Sequence, residues 1–379
     1  MDASAYLWLI AGSVLPSLLV AWMAGYLMRH FAPHLGLIDK PGERKVHTEP
    51  TPLGGGVAIW LGVVVPLAIG QILLGLLLST GEEGKLPDWL PEIIRQHAAG
   101  IWQQTGKLWS VVAAGTVLML LGLADDRWQL DWKPRLGIQF LVAIAVVVGL
   151  DLRLTAYLDL PWLTIGLSVF WIAALVNAFN MLDNMDGLSA GIGQIAALAL
   201  AAVMLLAPDP ETNRPQLFIA GYLLVMVGAL AGFLWHNRTP AKLFMGDAGS
   251  YFLGFSLATM TVLATYAGQS PERRHQILAP LCVMAVPLYD LISVILIRLW
   301  EGRSPFQADK RHLSHRLVAL GFTKSEAVWT IYLLSAICGL AAIVLHRIDT
   351  LGGLLVAAMV VLLLALIAVF ESIAGRKLE

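Results

Sequence analysis

Charge is the first thing this sequence is short of. Asp, Glu, Lys and Arg make up only 13% of its 379 residues, against about a quarter in a soluble globular chain. The two signs nearly cancel, leaving a formal net charge of −1, so no basic excess points to nucleic acid. Cysteine is scarce as well. Cys282 and Cys338 lie in apolar runs without metal-ligand spacing, which removes a disulfide framework and a cysteine zinc site. Neither GxxxxGK(S/T) nor GxGxxG occurs, so a P-loop NTPase or a Rossmann dinucleotide site is unsupported. There is no internal repeat, and no polar stretch is long enough for a soluble domain.

What the chain has instead is apolar length: 58% of it is hydrophobic. A helix needs about 20 apolar residues to cross a bilayer. Eleven runs qualify: 6–28, 56–78, 107–124, 135–150, 161–179, 188–207, 215–236, 248–267, 277–299, 326–345 and 351–370. The first, Tyr6 to Met28, is too long for a signal-peptide core and no small-residue cleavage site follows it, so it reads as a retained span. The expected fold is all-α, a polytopic integral membrane protein of about 11 transmembrane helices forming a single membrane-embedded domain over 1–379. Residues 79–106 form the longest polar insert, with room for an interfacial helix around Trp89 to Ile101. Lys and Arg gather two to one on the side holding the loops after the first, third, seventh and ninth spans and the C-terminal tail. Cytoplasmic loops collect these residues. The expected topology therefore puts the N-terminus outside, the C-terminus and the 300–325 loop in the cytoplasm, and 79–106 outside.

Ionisable groups near lipid suggest function, and every unusual cluster falls on that cytoplasmic side. Asp125-Asp126-Arg127 ends the third span. Adjacent helix residues do not share a face, so the two carboxylates are expected to have different partners. In Asn177-Ala-Phe-Asn180-Met-Leu-Asp183-Asn-Met-Asp186-Gly187, four oxygen-bearing side chains would form one stripe if the helix continued. Such a stripe suits a hard cation or a polar ligand; the plainer reading is a helix–helix hydrogen-bond seam. In Lys242-Leu-Phe-Met-Gly246-Asp247-Ala-Gly249-Ser250, Asp247 is placed as a helix N-cap at a terminus that favours phosphate. The loop Arg303 to Lys324 sets Arg311, His312, His315 and Arg316 together, suited to a pyrophosphate or simply to an ordinary basic loop. The two histidines lack further ligands for a tetrahedral zinc set. Carboxylates, cations and lipid proximity fit a divalent metal bridging a pyrophosphate.

The segments ADDRWQLDWKPR, NAFNMLDNMDGLSAG, KLFMGDAGSYFLG and SPFQADKRHLSHRL, with RKVHTEPTPLGGG in the first loop, resemble the polyprenyl-phosphate N-acetylhexosamine-1-phosphate transferases, in order and spacing over roughly 36–325. The branch they most resemble uses UDP-N-acetylglucosamine and undecaprenyl phosphate to start surface-glycan synthesis. The resemblance implies a bacterial inner-membrane enzyme whose site faces the cytoplasm. It would make polyprenyl-diphospho-sugar and UMP with Mg²⁺ or Mn²⁺; it leaves a homodimer open and involves no nucleic acid. By motif position Asp247 would be the main metal ligand, and Asp183 would support the metal and the reacting phosphates. Asp125 or Asp126 would orient or deprotonate the lipid phosphate. Asp186 and Phe244 would contact uracil, with Asn180 nearby, and Lys45 would approach the nucleotide. Arg311, His312, His315 and Arg316 would hold pyrophosphate or sugar. Related transferases often carry His-Ile-His-His in the last loop, where this chain has His312-Leu-Ser314-His315. A phospho-N-acetylmuramoyl-pentapeptide transferase is the nearest alternative. A cation-coupled transporter and an inactive homologue are the readings from other classes.

Overall fold

In lipid every backbone N–H and C=O must be satisfied within the segment, which favours helices. The computed structural model describes residues 3–40, 49–80, 86–87, 90–154, 160–207, 214–264, 266, 271–307 and 310–378, and nearly all of its secondary structure is helical. Helix α1 spans Ala3–Phe31 and α2 Gly55–Thr80. Between them a two-residue hairpin pairs β1 (Ile38–Asp39) antiparallel to β2 (Thr51–Pro52), with Ile38 opposite Pro52. A short amphipathic helix, α3 (Glu92–Gln103), sits close to the interfacial helix expected in the 79–106 insert. Then come α4 (Thr105–Trp128), α5 (Trp132–Gly149), α6 (Pro161–Leu182), α7 (Leu188–Leu206), α8 (Leu217–Asn237) and α9 (Gly246–Leu263). A 3-10 helix (Pro271–Leu278) leads into α10 (Ala279–Val283) and α11 (Ala285–Trp300). The chain ends with α12 (Leu313–Ala319), α13 (Lys324–Leu345) and α14 (Thr350–Leu378).

Each of the eleven expected runs overlaps a helical segment, but they are not equivalent. Among the described residues nine helices are long and apolar enough to cross a membrane. The ninth run is a pair, Arg273–Val283 and Ala285–Trp300, bent by 63°, which makes ten if counted as one span. The eighth run is α9, which is not among the nine. Every residue of α9 except Asp247 and Leu263 is buried, against α4, α6, α2, α7 and α8. A helix walled off from lipid by protein needs no continuous apolar surface, so composition under-reports it.

Close helix approach sets the position of α9. A Cβ on Gly122 of α4 would strike the backbone of Asp247, and one on Gly56 of α2 would strike the backbone of Gly249. Small residues at such crossings are how membrane helices pack. The large buried side chains Phe179, Phe233, Tyr251, Phe252 and Phe255 fill the centre around it. The result is a rigid post whose N-terminus is held at one end of the bundle.

Candidate active site

The site is built around the N-terminus of α9. Phe244 N donates to Pro52 O and Gly55 N to Phe244 O, each at 2.9 Å, and Gly56 N donates to Met245 O at 2.9 Å. The first-loop glycines thus seat the start of α2 against the segment entering α9. Gly246 then turns the chain at φ 69°. Asp247 is not the N-cap: the helix starts at Gly246 behind Met245, with no side-chain cap of its own. The cap comes from another helix. Asp126 of α4 accepts from Asp247 N at 2.8 Å and from Ala248 N at 3.2 Å. A carboxylate at free N–H groups and the positive end of the helix dipole is stabilising there.

Its neighbour Asp125 faces elsewhere, as adjacent helical residues must. It accepts from Leu130 N at 2.7 Å and from Tyr251 Oη at 3.3 Å, and it forms a tight ion pair with Arg135 of α5. Arg135 also reaches Asp247 Oδ2 at 3.4 Å. The expected separation of partners holds, and the basic partner is Arg135. The α4–α5 turn that allows this has Gln129 in the left-handed region, φ 51°, a sparsely populated conformation for a non-glycine residue and common near functional sites.

The Asn-Asp segment departs from the single stripe. Helix α6 ends at Leu182, so Asp183 is its C-cap and Asp186 lies in the turn before Gly187. Asn177 is the seam residue, bonded to Gln139 Oε1 at 2.7 Å. Asn180 is turned to the site, donating to Asp247 Oδ1 at 2.6 Å and to Ser250 Oγ at 3.1 Å. Asp186 accepts from Ala241 N at 3.0 Å, fixing the approach to Phe244. Asp183 accepts from Gly246 N, next to Asp247; enclosure, then the charges of Asp126 and Asp186, push its carboxyl up to about 8. Gly191 admits Tyr332 of α13, whose hydroxyl donates to Gly187 O, so protein rather than ligand fills that approach.

Asp125, Asp126, Arg135, Asp183, Asp186, Phe244, Asp247, His312 and His315 line one cavity of about 1410 Å³, whereas Asn180 is not on its wall and meets it through Asp247. That exceeds the roughly 300–1,000 Å³ of a single drug-sized site. The segment after α11 supplies Arg303, Gln307, Lys310 and the two histidines to the wall. It is braced by stacking of Phe306 on Trp132, with ring centroids 3.9 Å apart, and by Arg311 paired with Glu301 at 2.7 Å. Arg311 and Arg316 are not on the cavity wall. Arg316 pairs with Glu371 of α14 at 3.1 Å and donates to Ser293 Oγ at 2.9 Å. Ser314, at 1% exposure, does not reach the cavity either. It bonds Asn184, which does. Lys45 lies outside the described residues.

Among the described residues, no three His, Cys, Asp or Glu side chains converge into a metal cage. Mg²⁺ asks for less: one or two carboxylates, with waters and substrate phosphates completing the shell. Asp183 and Asp247, hard oxygen donors on one cavity wall among neighbouring acids, fit that requirement.

The profile of glycosyl transferase family 4 matches residues 108–265, the stretch that runs from α4 to the end of α9. The "Probable undecaprenyl-phosphate N-acetylglucosaminyl 1-phosphate transferase" of Bacillus subtilis is 30% identical over 370 residues, covering 96% of this chain and 92% of that protein. The chain belongs to the polyprenyl-phosphate N-acetylglucosamine-1-phosphate transferases of glycosyl transferase family 4. The decaprenyl-phosphate N-acetylglucosaminephosphotransferase of Mycobacterium tuberculosis is 34% identical over 84% of this chain and 78% of its own length. The undecaprenyl-phosphate alpha-N-acetylglucosaminyl 1-phosphate transferase of Yersinia pestis is 28% identical over 85% of this chain and 80% of its own. The glycosyl transferase family 4 match contains Asp125, Asp126, Asp183, Asp186 and Asp247, with Asn180 and Phe244, whereas the histidine segment lies beyond it.

Sequence reasoning missed two groups. Arg135 reads in the sequence only as one more basic residue of a loop, although it follows Asp125 across one helix–turn–helix. Asp290, fully buried on α11, binds His312; its signal was an ionisable residue in the middle of an apolar run.

Proposed function

We propose that this enzyme transfers N-acetylglucosamine-1-phosphate from UDP-N-acetylglucosamine to a polyprenyl phosphate, releasing UMP. The observation that carries the reading is the gathering of Asp125, Asp126, Asp183 and Asp247 around the N-terminus of α9, in a cavity roomy enough for two phosphorylated substrates. The activities for which the relatives are named point the same way. A phosphate oxygen of the lipid attacks the sugar-linked phosphorus; a P–O–P bond forms there as the bond to the UMP oxygen breaks.

Asp183 and Asp247 would hold Mg²⁺, or Mn²⁺ in its place. When bound, the ion neutralises diphosphate charge and acts as a Lewis acid on the phosphoryl oxygens. The chain's own groups do the positioning. Asp126 anchors the α9 terminus that carries Asp247. Asp125 aims the Arg135 guanidinium, which suits a phosphate bidentately. Phe244 stacks the uracil while Asp186 holds the backbone beside it. His312 and His315, with Lys310 and Arg303, take the pyrophosphate and sugar. The site faces the cytoplasm of a bacterial inner membrane, on the Lys and Arg distribution. Eleven spans satisfy the alternation of the loops when α9 and the bent pair are each counted. A transporter is disfavoured because its site would lie near the midplane of a repeated fold, whereas these acids lie at helix ends.

UMP release by purified protein, given polyprenyl phosphate, Mg²⁺ and a panel of UDP-sugars, tests the reading. UMP formed only with both lipid and metal, and fastest with UDP-N-acetylglucosamine, is expected. UMP formed without lipid, or none with any UDP-N-acetylhexosamine, would refute it.

A further inference from the structure

Asp290 lies at 0% exposure on α11, an acid in the middle of PLYDLISV. An ionisable group so placed needs partners. Both of its oxygens have one: Oδ2 accepts from His312 Nδ1 at 2.8 Å and Oδ1 from Leu313 N at 2.6 Å. His312 is 7% exposed and lines the cavity from the N-cap of α12. With Nδ1 committed to Asp290, Nε2 is the ring nitrogen left for the cavity. A carboxylate partner keeps the proton on Nδ1 whether the ring is neutral or charged.

We propose that Asp290 is a positioning residue for His312: it accepts from Nδ1–H, fixes the ring orientation and balances the charge of the doubly protonated ring, so that Nε2–H meets the diphosphate of the bound nucleotide-sugar. This rests on the transferase reading given above. A phosphate oxygen accepts hydrogen bonds and donates none when ionised. Nε2 therefore holds a proton when it contacts the diphosphate, and the Asp290 carboxylate offsets the imidazolium charge. His315, with its ring centroid 6.2 Å from that of His312, lines the same cavity. The competing role for Asp290 is structural, capping the seven-residue α12 through Leu313 N alone.

Asp290→Asn separates the two. The amide oxygen still caps Leu313 N, while its NH₂ faces Nδ1 and can donate only to a ring whose Nδ1 carries no proton, so the imidazolium loses its partner. Orienting partners of a functional histidine are worth about 10- to 100-fold in activity. The expected result is a loss of that size in kcat/KM for UDP-N-acetylglucosamine, with KM for the lipid within about twofold of wild type. In a His312→Gln background the same Asp290→Asn change should cost almost nothing further, because a residue acting through another is not additive with it. NMR of isotope-labelled histidine rings in the wild-type protein, with the His312 signal identified by its disappearance in His312→Gln, should find the proton on Nδ1. This readout holds even if Asp290→Asn does not fold. Full activity in Asp290→Asn, an equal loss in the His312→Gln background, or an unprotonated Nδ1 in the wild type would each overturn the proposal. A wild-type enzyme that releases no UMP would instead refute the transferase reading, and the ring NMR would still decide whether Nδ1 carries its proton toward Asp290.

Discussion

Helices α9 and α14 sit at opposite extremes of the same bundle. In α9 only Asp247 and Leu263 escape burial, and the helix carries three glycines in GDAGSYFLG. In the most apolar stretch of α14 only 11% of residues are buried, and side chains such as Leu355, Met359 and Leu362 face outward. The apolar surface of a membrane helix thus follows its contact with lipid rather than its residence in the bundle. The helix that meets no lipid is free to carry the acid, the glycines and the hydroxyls of a site.

That contrast predicts where substitutions hurt. Asp247→Asn should cut metal-dependent turnover by more than about 100-fold, since even the outer partners of a bound metal are worth about 10- to 100-fold, while the bundle stays folded in a thermal-shift assay. Phe244→Ala removes a stacking partner worth about 1–3 kcal/mol per base. KM for the UDP-sugar should therefore rise about 5- to 150-fold with KM for the lipid unchanged; equal rises in both would remove Phe244 from the base. Gly122→Leu forces a side chain into the backbone of Asp247, and overpacking of this kind costs about 1–3 kcal/mol, so both Tm and activity should fall. Gly70→Leu is the control on α2, where an added Cβ meets nothing within 4 Å; its Tm should stay unchanged.

Acidity gives a further handle. With its carboxyl pushed up to about 8, Asp183 is protonated at pH 6 and must lose that proton to ligate a cation. Apparent Mg²⁺ affinity should strengthen by up to about tenfold per pH unit between 6 and 8 and flatten above. In the metal-free protein the folded state binds the extra proton. Stability should therefore be greatest at low pH and fall as pH rises from about 4 to about 8. A flat Mg²⁺ affinity over that range would show that Asp183 does not titrate with the metal. At the small end, Leu362→Ala on α14 removes no packing and should shift stability by no more than about 0.5 kcal/mol.

The apolar runs were legible because lipid imposes a length and a composition on each span. Where that pressure lapses, reading becomes harder: the apolar run 248–267 passes for a lipid-facing span although α9 is buried in protein, and the 63° break before α11 is marked in the sequence by Pro287, in the first turn of that helix. At the site the acids declared themselves, but their geometry did not. The single stripe of Asn177, Asn180, Asp183 and Asp186 needed a continuous helix, and the chain instead caps at Asp183 and turns through Gly187. Asp126 capping α9, Arg135 bridging Asp125 and Asp247, and Asp290 behind His312 are contacts between residues far apart in the chain, which local spacing does not encode.

The central claim is that the α9 terminus, through Asp247, holds the divalent ion. Mn²⁺ binding followed by electron paramagnetic resonance, on wild type and Asp247→Asn with UDP-N-acetylglucosamine present, tests it directly. The account predicts one tightly bound ion in the wild type and its loss in the variant. Equal binding by both proteins would contradict it.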